Sequence, residues 1–472
     1  MAIQDLQTRR DSPLLNFPLI RLYLKLRGKI VVCLLFLTLA SLISPTLAAP
    51  LFKQGSLLLD DETDDAFKEW IQKIFTVAGL KKYQPRIFVI VNSEVNAAAS
   101  LGGHIYIFSE FLMKCDNADQ FLGVMAHEVG HIAGGHVSRM DSGFDHAMVP
   151  AAAAVILGGA LALASGSSEP LAAAMAGSAH VLDRSMLKFS RTQESAADQA
   201  GLSYLEKLGW PADGLSIFLE KVEKIYGSST RVDPYTTTHP VTPDRLESIH
   251  SYMRKCSHQT RAIPPVIESK FQRIKAKMMA FLDPSRAMGV YKDNSLPAQY
   301  ARAIAHYRLG DFSRALSAIE TLVVKYPQDP YFYELKGQVL FETGEVDKSV
   351  PSLQKALSLR PHSPLIKILL AHALIERKSL PGSEEAIKIL GPLTQKYPGE
   401  YPMAWRLLAT AYGKTNRLGE AALALAEEAY LQENYRVATS QANRAKEMLK
   451  GNPKASVRAA DLLSQIKNKT GE

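Results

Sequence analysis

The pentapeptide HEVGH, at residues 127–131, constrains this 472-residue chain more than any other stretch. Residues four apart lie on one face of an α-helix, so His127 and His131 can direct both imidazoles toward one point. Two neutral imidazoles on one helix face are suitable zinc ligands. Glu128 lies about 100° around the helix, where its carboxylate can act as general base for an attacking water. The motif therefore predicts a helix that carries a catalytic zinc.

The residues on either side of the motif indicate that this helix is buried. Residues 121–126 are Phe-Leu-Gly-Val-Met-Ala, and Ile-Ala follows at residues 132 and 133. A pair of histidines is common on protein surfaces and is often without function. Three ionisable groups in a buried helix, however, carry a desolvation penalty that a bound metal offsets. We therefore favour a metal site over a chance match.

A second helical segment supplies the carboxylate that a His–His site lacks. Glu194 and Asp198 lie one turn apart in the run from Ser190 to Gly209. We predict that Glu194 is the third ligand of a catalytic zinc. Asp198 is then placed to accept a hydrogen bond from the outward nitrogen of a ligand histidine, which fixes its tautomer. Taken alone, the pair is typical of a solvated helix face, and it is the HEVGH motif that favours the metal site.

Another histidine, His136, follows the motif. Metzincin-type enzymes place a third histidine ligand in the pattern HExxHxxGxxH. Gly134 fits that spacing, but the final position is Val137. His136 comes one residue early and would face elsewhere on a continuing helix. We therefore predict that it binds no metal.

Strand-like runs precede the zinc helix and follow a helix predicted over residues 60–80. Residues 86–91 and 104–108 are rich in β-branched and aromatic side chains, and the Gly-Gly pair at 102–103 indicates a turn. We predict that the two runs pair as a hairpin. The residues between them at 96–100, Asn-Ala-Ala-Ala-Ser, are small enough for another backbone to approach. They form either an edge that holds a substrate peptide in extended form or an ordinary connection.

The first 48 residues are predicted to be a secretory signal peptide. Basic residues at 21–29 precede an apolar run at 30–43, and Thr-Leu-Ala at 46–48 offers small residues to a signal peptidase. An uncleaved anchor is the alternative, although the run is short for a membrane span. Without residues 1–48, the formal charge of +8 falls to +4, because they hold six basic and two acidic side chains. The sequence thus predicts a periplasmic protein with no nucleic-acid partner.

The sequence leaves two features open. Cys115 and Cys256 either form one disulfide or remain free. The apolar run from Met148 to Ala164 approaches spanning length, but it is mostly Ala and Gly and contains Pro150. It favours a buried helix, or one in peripheral contact with a membrane, over a true span.

The last third of the chain repeats every 34 residues. Gly310 and Gly344 are 34 apart, and so are Pro327 and Pro361. This is the period of the tetratricopeptide repeat, a helix–turn–helix unit. In a fourth unit Asn416 replaces the turn glycine, which asparagine can do in a left-handed conformation. Stacked repeats form a concave surface that commonly binds peptides or protein partners.

HEVGH, Glu194-x-x-x-Asp198, and a His239-Pro240 loop followed by Arg245 together resemble the HtpX/CAAX-prenyl-protease family of zinc peptidases. The resemblance covers about residues 57–260. It implies that the His-Pro loop returns to the metal and that Arg245 lies beside the ligands. His239 then either stabilises the oxyanion of the reaction or binds zinc as a fourth protein ligand, which would close the site. We favour the latch, with a structural turn as the remaining alternative.

The predicted fold is mainly α, with one zinc per chain. A signal peptide (1–48) precedes a zinc-peptidase domain of helices with a small β-sheet (49–270), a linker (271–295) and an α-solenoid of tetratricopeptide repeats (296–472). The predicted reaction is peptide-bond hydrolysis.

The combination of an exported peptidase with such repeats resembles periplasmic members of the family that degrade misassembled outer-membrane β-barrels. That resemblance implies assistance in barrel assembly and contact between the repeats and the barrel-assembly machinery. The alternative is a non-enzymatic chaperone or adaptor with structural or regulatory zinc. Glu128 argues against it, because a structural zinc needs no base.

Overall fold

The structure is a computed structural model. It describes residues 55–100, 102–136, 191–226, 239–255, 262–377 and 379–471. The predicted signal peptide, the apolar run from Met148 to Ala164, and Cys256 lie outside the described residues. Cys115 is buried and forms no disulfide with any other residue that the structure describes. Across the described ranges, no helix has both the length and the hydropathy needed to cross a membrane.

The first part of the described chain builds a helical domain around a small sheet. Its elements are β1 (Leu57–Leu58), α1 (Asp61–Val77), β2 (Arg86–Ile90), β3 (Ala97–Ser100), β4 (His104–Phe108), α2 (Ser109–Lys114), α3 (Ala118–Ala133), α4 (described over 191–208), α5 (Asp213–Tyr226) and α6 (Pro243–Lys255).

The strand order in the sheet is β1-β2-β4-β3. β2 and β4 are parallel, with Arg86 opposite His104, so the predicted hairpin between them is wrong. The hairpin joins β3 to β4 instead, through Gly102 and Gly103, which both have positive φ. The small residues of the predicted connection therefore form a strand of their own, at the edge of the sheet.

Helix α3, which carries the HEVGH motif, runs through the centre of the core. Phe121 packs against Phe67 of α1 with ring centroids 4.5 Å apart, and against Phe271, from a later helix, at 5.6 Å. All three side chains are fully buried. Contacts on several sides hold α3 in one position, and the HEVGH motif is buried with it.

The second part of the chain is helical throughout, and the predicted fold class is confirmed. Its elements are α7 (Pro265–Leu282), α8 (Pro284–Val290), α9 (Leu296–Arg308), α10 (Phe312–Lys325), α11 (Pro330–Glu342), α12 (Val346–Leu359), α13 (Pro364–Glu376), α14 (Leu380–Lys396), α15 (Pro402–Lys414), α16 (Leu418–Leu431), α17 (Tyr435–Met448) and α18 (Pro453–Thr470). The turn residues Gly310, Gly344 and Asn416 all have positive φ, as their positions in the repeats require.

The segment interpreted as a linker, 271–295, forms most of α7 and all of α8 instead. One set of α7 side chains, including Phe271 and Ile274, packs into the core of the first domain. Another set, including Ala276 and Met279, packs into the core of the first repeats. Because both faces of α7 are buried, it is a shared structural helix rather than a flexible connection.

The acidic start of α1 docks against α7 and the repeats. Asp61 accepts hydrogen bonds from the Ser363 hydroxyl and from the Leu365 N–H, the latter at 3.0 Å, at the first turn of α13. Lys277 of α7 donates to Glu62 at 3.0 Å. The first domain and the repeats therefore meet through buried, hydrogen-bonded charges.

Substitution of Asp61 is expected to stabilise this contact. Burial raises the pKa of Asp61 to about 6, although Ser363 and Leu365 donate to the carboxylate. The folded protein therefore holds the proton more tightly than the unfolded chain, and stability is lost as the pH rises from about 4 through about 6. Asparagine keeps an acceptor oxygen and has no charge to desolvate. We expect Asp61→Asn to raise the free energy of unfolding at pH 7 by on the order of 1–3 kcal/mol.

Chemical denaturation at pH 7 and at pH 4.5 measures this difference. The gain should shrink at pH 4.5, where the native carboxyl is already protonated. A loss of stability at pH 7 would contradict the prediction.

Candidate metal centre

Two glycines bring the ligand helices into close contact. A Cβ added to Gly130 would lie 2.7 Å from the carbonyl oxygen of Ala197 on α4. A Cβ added to Gly201 would lie 2.9 Å from the backbone nitrogen of His127 on α3. Because both positions lack a side chain, the acidic face of α4 can lie directly against the histidines of α3.

His127, His131, Glu194 and His239 form one buried cluster, with one ligand atom of each within 4.8 Å of the others. His131 Nε2 lies 3.0 Å from His127 Nε2 and 3.1 Å from Glu194 Oε1. His239 Nδ1 lies 3.0 Å from the same oxygen. Tetrahedral ligands about 2.1 Å from a zinc ion are separated by about 3.4 Å, so the four groups have the spacing of a shared metal site.

Asp198 and Arg245 surround the cluster on its outer side. His127 Nδ1 lies 2.8 Å from Asp198 Oδ1. Arg245 donates to both oxygens of Asp198, at 2.6 and 2.9 Å, and its Nη1 lies 2.7 Å from Glu194 Oε2. Asp198 therefore accepts a hydrogen bond from the Nδ1–H of His127. The proton stays on Nδ1, and the Nε2 lone pair of His127 is directed into the cluster.

The charges of the cluster favour a cation at its centre. Burial lowers the pKa of His127, but Glu194 and Asp198 outweigh it and raise this pKa to about 9. Burial raises the pKa of Glu194, but the three histidines hold it well below its usual range. Two imidazole lone pairs facing each other at 3.0 Å repel unless a proton or a metal ion lies near them. Nitrogen and carboxylate donors in this arrangement fit a divalent metal such as zinc.

Glu128 lies between the cluster and the edge strand. Its Oε2 accepts a hydrogen bond from the Ala99 N–H of β3 at 2.8 Å. Its Oε1 is buried without a hydrogen-bond partner among the described residues and lies 3.5 Å from His239 Nε2. One carboxylate oxygen is thus held in place while the other remains available to accept a proton.

The alanines of β3 explain this contact. Ala97 is fully buried, and its strand lies against α3. The small side chains leave the backbone N–H of Ala99 within hydrogen-bonding distance of Glu128. Residues 97–100 form a strand at the edge of the sheet that pairs only with β4 among the described strands, and that this edge holds a substrate peptide stays a prediction.

His136 is not one of the four cluster residues, and that it binds no metal stays a prediction, but it lies against His131 rather than elsewhere on a continuing helix. Its Nδ1 lies 3.0 Å from Nδ1 of His131, on the side opposite the cluster. The prediction assumed that the helix continues, whereas α3 ends at Ala133. The Gly134-Gly135 pair was the sequence signal for that ending.

Comparison with known proteins agrees with this geometry. Residues 61–253 match peptidase family M48, and residues 300–364 and 340–411 match tetratricopeptide-repeat models. The beta-barrel assembly-enhancing protease of Escherichia coli K12 is 26% identical over 72% of this chain and 70% of that protein. A putative beta-barrel assembly-enhancing protease of Vibrio cholerae is 24% identical over 74% of this chain and 72% of that protein.

Two further similarities are shorter or weaker. The metalloprotease YcaL of Escherichia coli is 30% identical over 34% of this chain and 59% of that protein. The crystal structure of yeast Tom70 aligns over 62% of this chain and 61% of its own with 13% identity and a TM-score of 0.26, which is too low to bear on the fold.

Proposed function

We propose that this metalloendopeptidase, which carries a peptidase family M48 domain followed by tetratricopeptide repeats, is a zinc enzyme of the periplasm that acts on outer-membrane proteins. The observation that carries the chemistry is the buried cluster of three histidines and one glutamate beside Glu128. The names of the relatives support the substrate class, and the basic and apolar start of the sequence supports export. Misassembled β-barrels are the proposed substrates, and assistance in barrel assembly is a proposed second activity.

In the proposed reaction, His127, His131 and Glu194 would hold the zinc. When bound, zinc polarises the scissile carbonyl and lowers the pKa of the attacking water. Glu128 accepts the water proton at Oε1 and delivers it to the leaving amine. The Ala99 N–H keeps the carboxylate oriented through Oε2. An unfolded segment would align along the edge of β3 that pairs with no other described strand, as an added strand, which favours extended polypeptides over folded ones.

His239 is proposed to restrain this activity as a latch. Its Nδ1 lies among the ligand atoms, and Arg245 Nη1 donates to the carbonyl of the neighbouring Pro240 at 3.2 Å. Four protein ligands would leave no open position for a water molecule at the metal. Arg245 thus connects the His239 loop to the carboxylates of the site. Substrate entry would have to displace His239 before hydrolysis.

Removal of the imidazole is expected to release that restraint. We expect His239→Ala to raise hydrolysis of an unstructured peptide and self-cleavage by roughly 5- to 100-fold, the usual range for coupling between two states. If His239 instead stabilises the oxyanion, the same variant should lower kcat by about 10²–10³-fold. Unchanged rates would favour the structural turn. His250→Ala, at a half-exposed histidine of α6, is the matched control.

The proposed substrate class can be tested by trapping. Glu128→Gln protein, expressed in the exporting cell and cross-linked, should retain polypeptides that the wild-type enzyme degrades. We expect outer-membrane β-barrel proteins and components of their assembly machinery to be enriched in the trapped fraction relative to wild type. Enrichment of other proteins alone would contradict the proposed substrate. Full cellular function of the Glu128→Gln chain would favour the non-enzymatic chaperone.

A further inference from the structure

We infer that His136 is a positioning residue for the ligand His131, and that the Gly134-Gly135 turn after the zinc helix exists to place it. The inference concerns the metal site of the proposed function and therefore rests on it. It assigns a role to a histidine that does not belong to the ligand cluster.

The helix α3 ends at Ala133, and Gly134 and Gly135 form a turn directly after it. The N–H of Gly134 donates to the Gly130 carbonyl at 2.9 Å, and the N–H of Gly135 donates to the Ile132 carbonyl at 3.1 Å. Gly135 has a φ of +63°, a left-handed conformation that side chains with a Cβ disfavour. The next residue, His136, consequently lies back along the last turn of the helix rather than beyond it.

Gly134 supplies the space into which the His136 ring folds. A Cβ at Gly134 would lie 2.5 Å from Nε2 of His136 and 2.9 Å from two of its ring carbons. Even the smallest side chain at this position would therefore displace the imidazole. Only 6% of His136 is exposed, so the ring is enclosed in the position where it meets His131.

The contact between the two imidazoles determines the tautomer of His131. Because Nε2 of His131 faces the ligand cluster, the proton of this ring belongs on Nδ1. That N–H then donates to Nδ1 of His136, 3.0 Å away. Asp198 accepts from His127 in the same way at 2.8 Å. Each ligand histidine of α3 thus has an acceptor on its outward nitrogen, one a carboxylate and the other an imidazole.

Two variants of His136 distinguish the effect of its hydrogen-bond acceptor on zinc binding from the effect of its side-chain volume. Asparagine places Oδ1 near the position of Nδ1 and can accept the same hydrogen bond, whereas leucine fills similar space without an acceptor. We expect His136→Leu to weaken zinc binding by the apoprotein about 10–100-fold, and His136→Asn to stay within roughly threefold of wild type. Competition with a chelator of known affinity measures both. The visible spectrum of the Co²⁺-loaded proteins should change with leucine and be restored with asparagine.

A third variant tests the turn. Gly134→Ala should displace the His136 ring and reduce zinc affinity to the same extent as His136→Leu. The double variant should be no weaker than either single one, because both remove the same contact. Gly413→Ala is the matched control, since a Cβ there meets nothing within 4 Å. Thermal unfolding of each apoprotein verifies that it is folded.

The outcomes distinguish this inference from the proposed function. If wild-type apoprotein takes up no zinc, the proposed function fails, and this inference fails with it. If wild type binds zinc and His136→Leu binds it equally well, the inference alone is wrong. If leucine and asparagine weaken zinc binding equally, His136 acts by packing, and the positioning role is overturned.

Discussion

Glu128→Gln is expected to abolish peptide hydrolysis while the metal stays in place. Glutamine has nearly the same shape, and its amide oxygen can still accept the Ala99 N–H that orients this side chain. The amide cannot take a proton from water at neutral pH, however, and the substituted group is not one of the four in the ligand cluster. General-base catalysis contributes roughly 10²–10⁴-fold, and we expect kcat to fall by at least that factor.

Steady-state hydrolysis of an unstructured fluorogenic peptide, together with metal analysis of the same samples, measures this result. Glu220→Gln, at a half-exposed glutamate of α5, is the matched control and should behave as wild type. A Glu128→Gln protein that contains zinc and cleaves the peptide at the wild-type rate would show that another group is the base.

Glu194→Gln is expected to lose the metal itself. The neutral amide is a much poorer ligand than a carboxylate, and the charge that favours a cation at this buried position disappears. Asp198→Asn leaves all four cluster residues intact. It weakens only the hydrogen bonds that residue 198 accepts from His127 and Arg245. We expect its zinc affinity to fall about 10–100-fold, and that of Glu194→Gln to fall further.

Equilibrium dialysis of both apoproteins against buffered zinc ranks the two variants. Activity should follow metal occupancy in Glu194→Gln but remain low in fully loaded Asp198→Asn, because the orientation of His127 is disturbed. If the Glu194→Gln protein and the wild type contain equal amounts of zinc, Glu194 is not a zinc ligand.

Features that depend on spacing within one helix were predictable from sequence. His127 and His131, and likewise Glu194 and Asp198, are each four residues apart, and helical geometry alone aligns each pair. The turn residues of the repeats follow a fixed period, which explains why Asn416 could be predicted to take a left-handed conformation. In these cases the relevant geometry is local and repeats along the chain.

Features that depend on distant partners were not predictable. Strand-like composition does not encode direction, so the parallel pairing of β2 and β4 was mistaken for a hairpin. Asp61 lies at the start of the helix predicted over residues 60–80, yet its carboxylate also bonds to Ser363, 302 residues further along the chain. The path of His136 depends on where the preceding helix ends, and helix ends are the least certain feature of a sequence pattern.

The double role of α7 links the stability of the first domain to that of the first repeats, because the helix belongs to both of their cores. Phe271 packs on Phe121 of α3, and five residues later Ala276 packs among the first repeats. Opening either core would therefore expose a face of the same helix, and we expect a single calorimetric transition. A cut at residue 296 would destabilise the peptidase domain as well as remove the repeats. Metal bound at HEVGH should accordingly slow amide hydrogen exchange in α9 and α10, which the site itself does not contact.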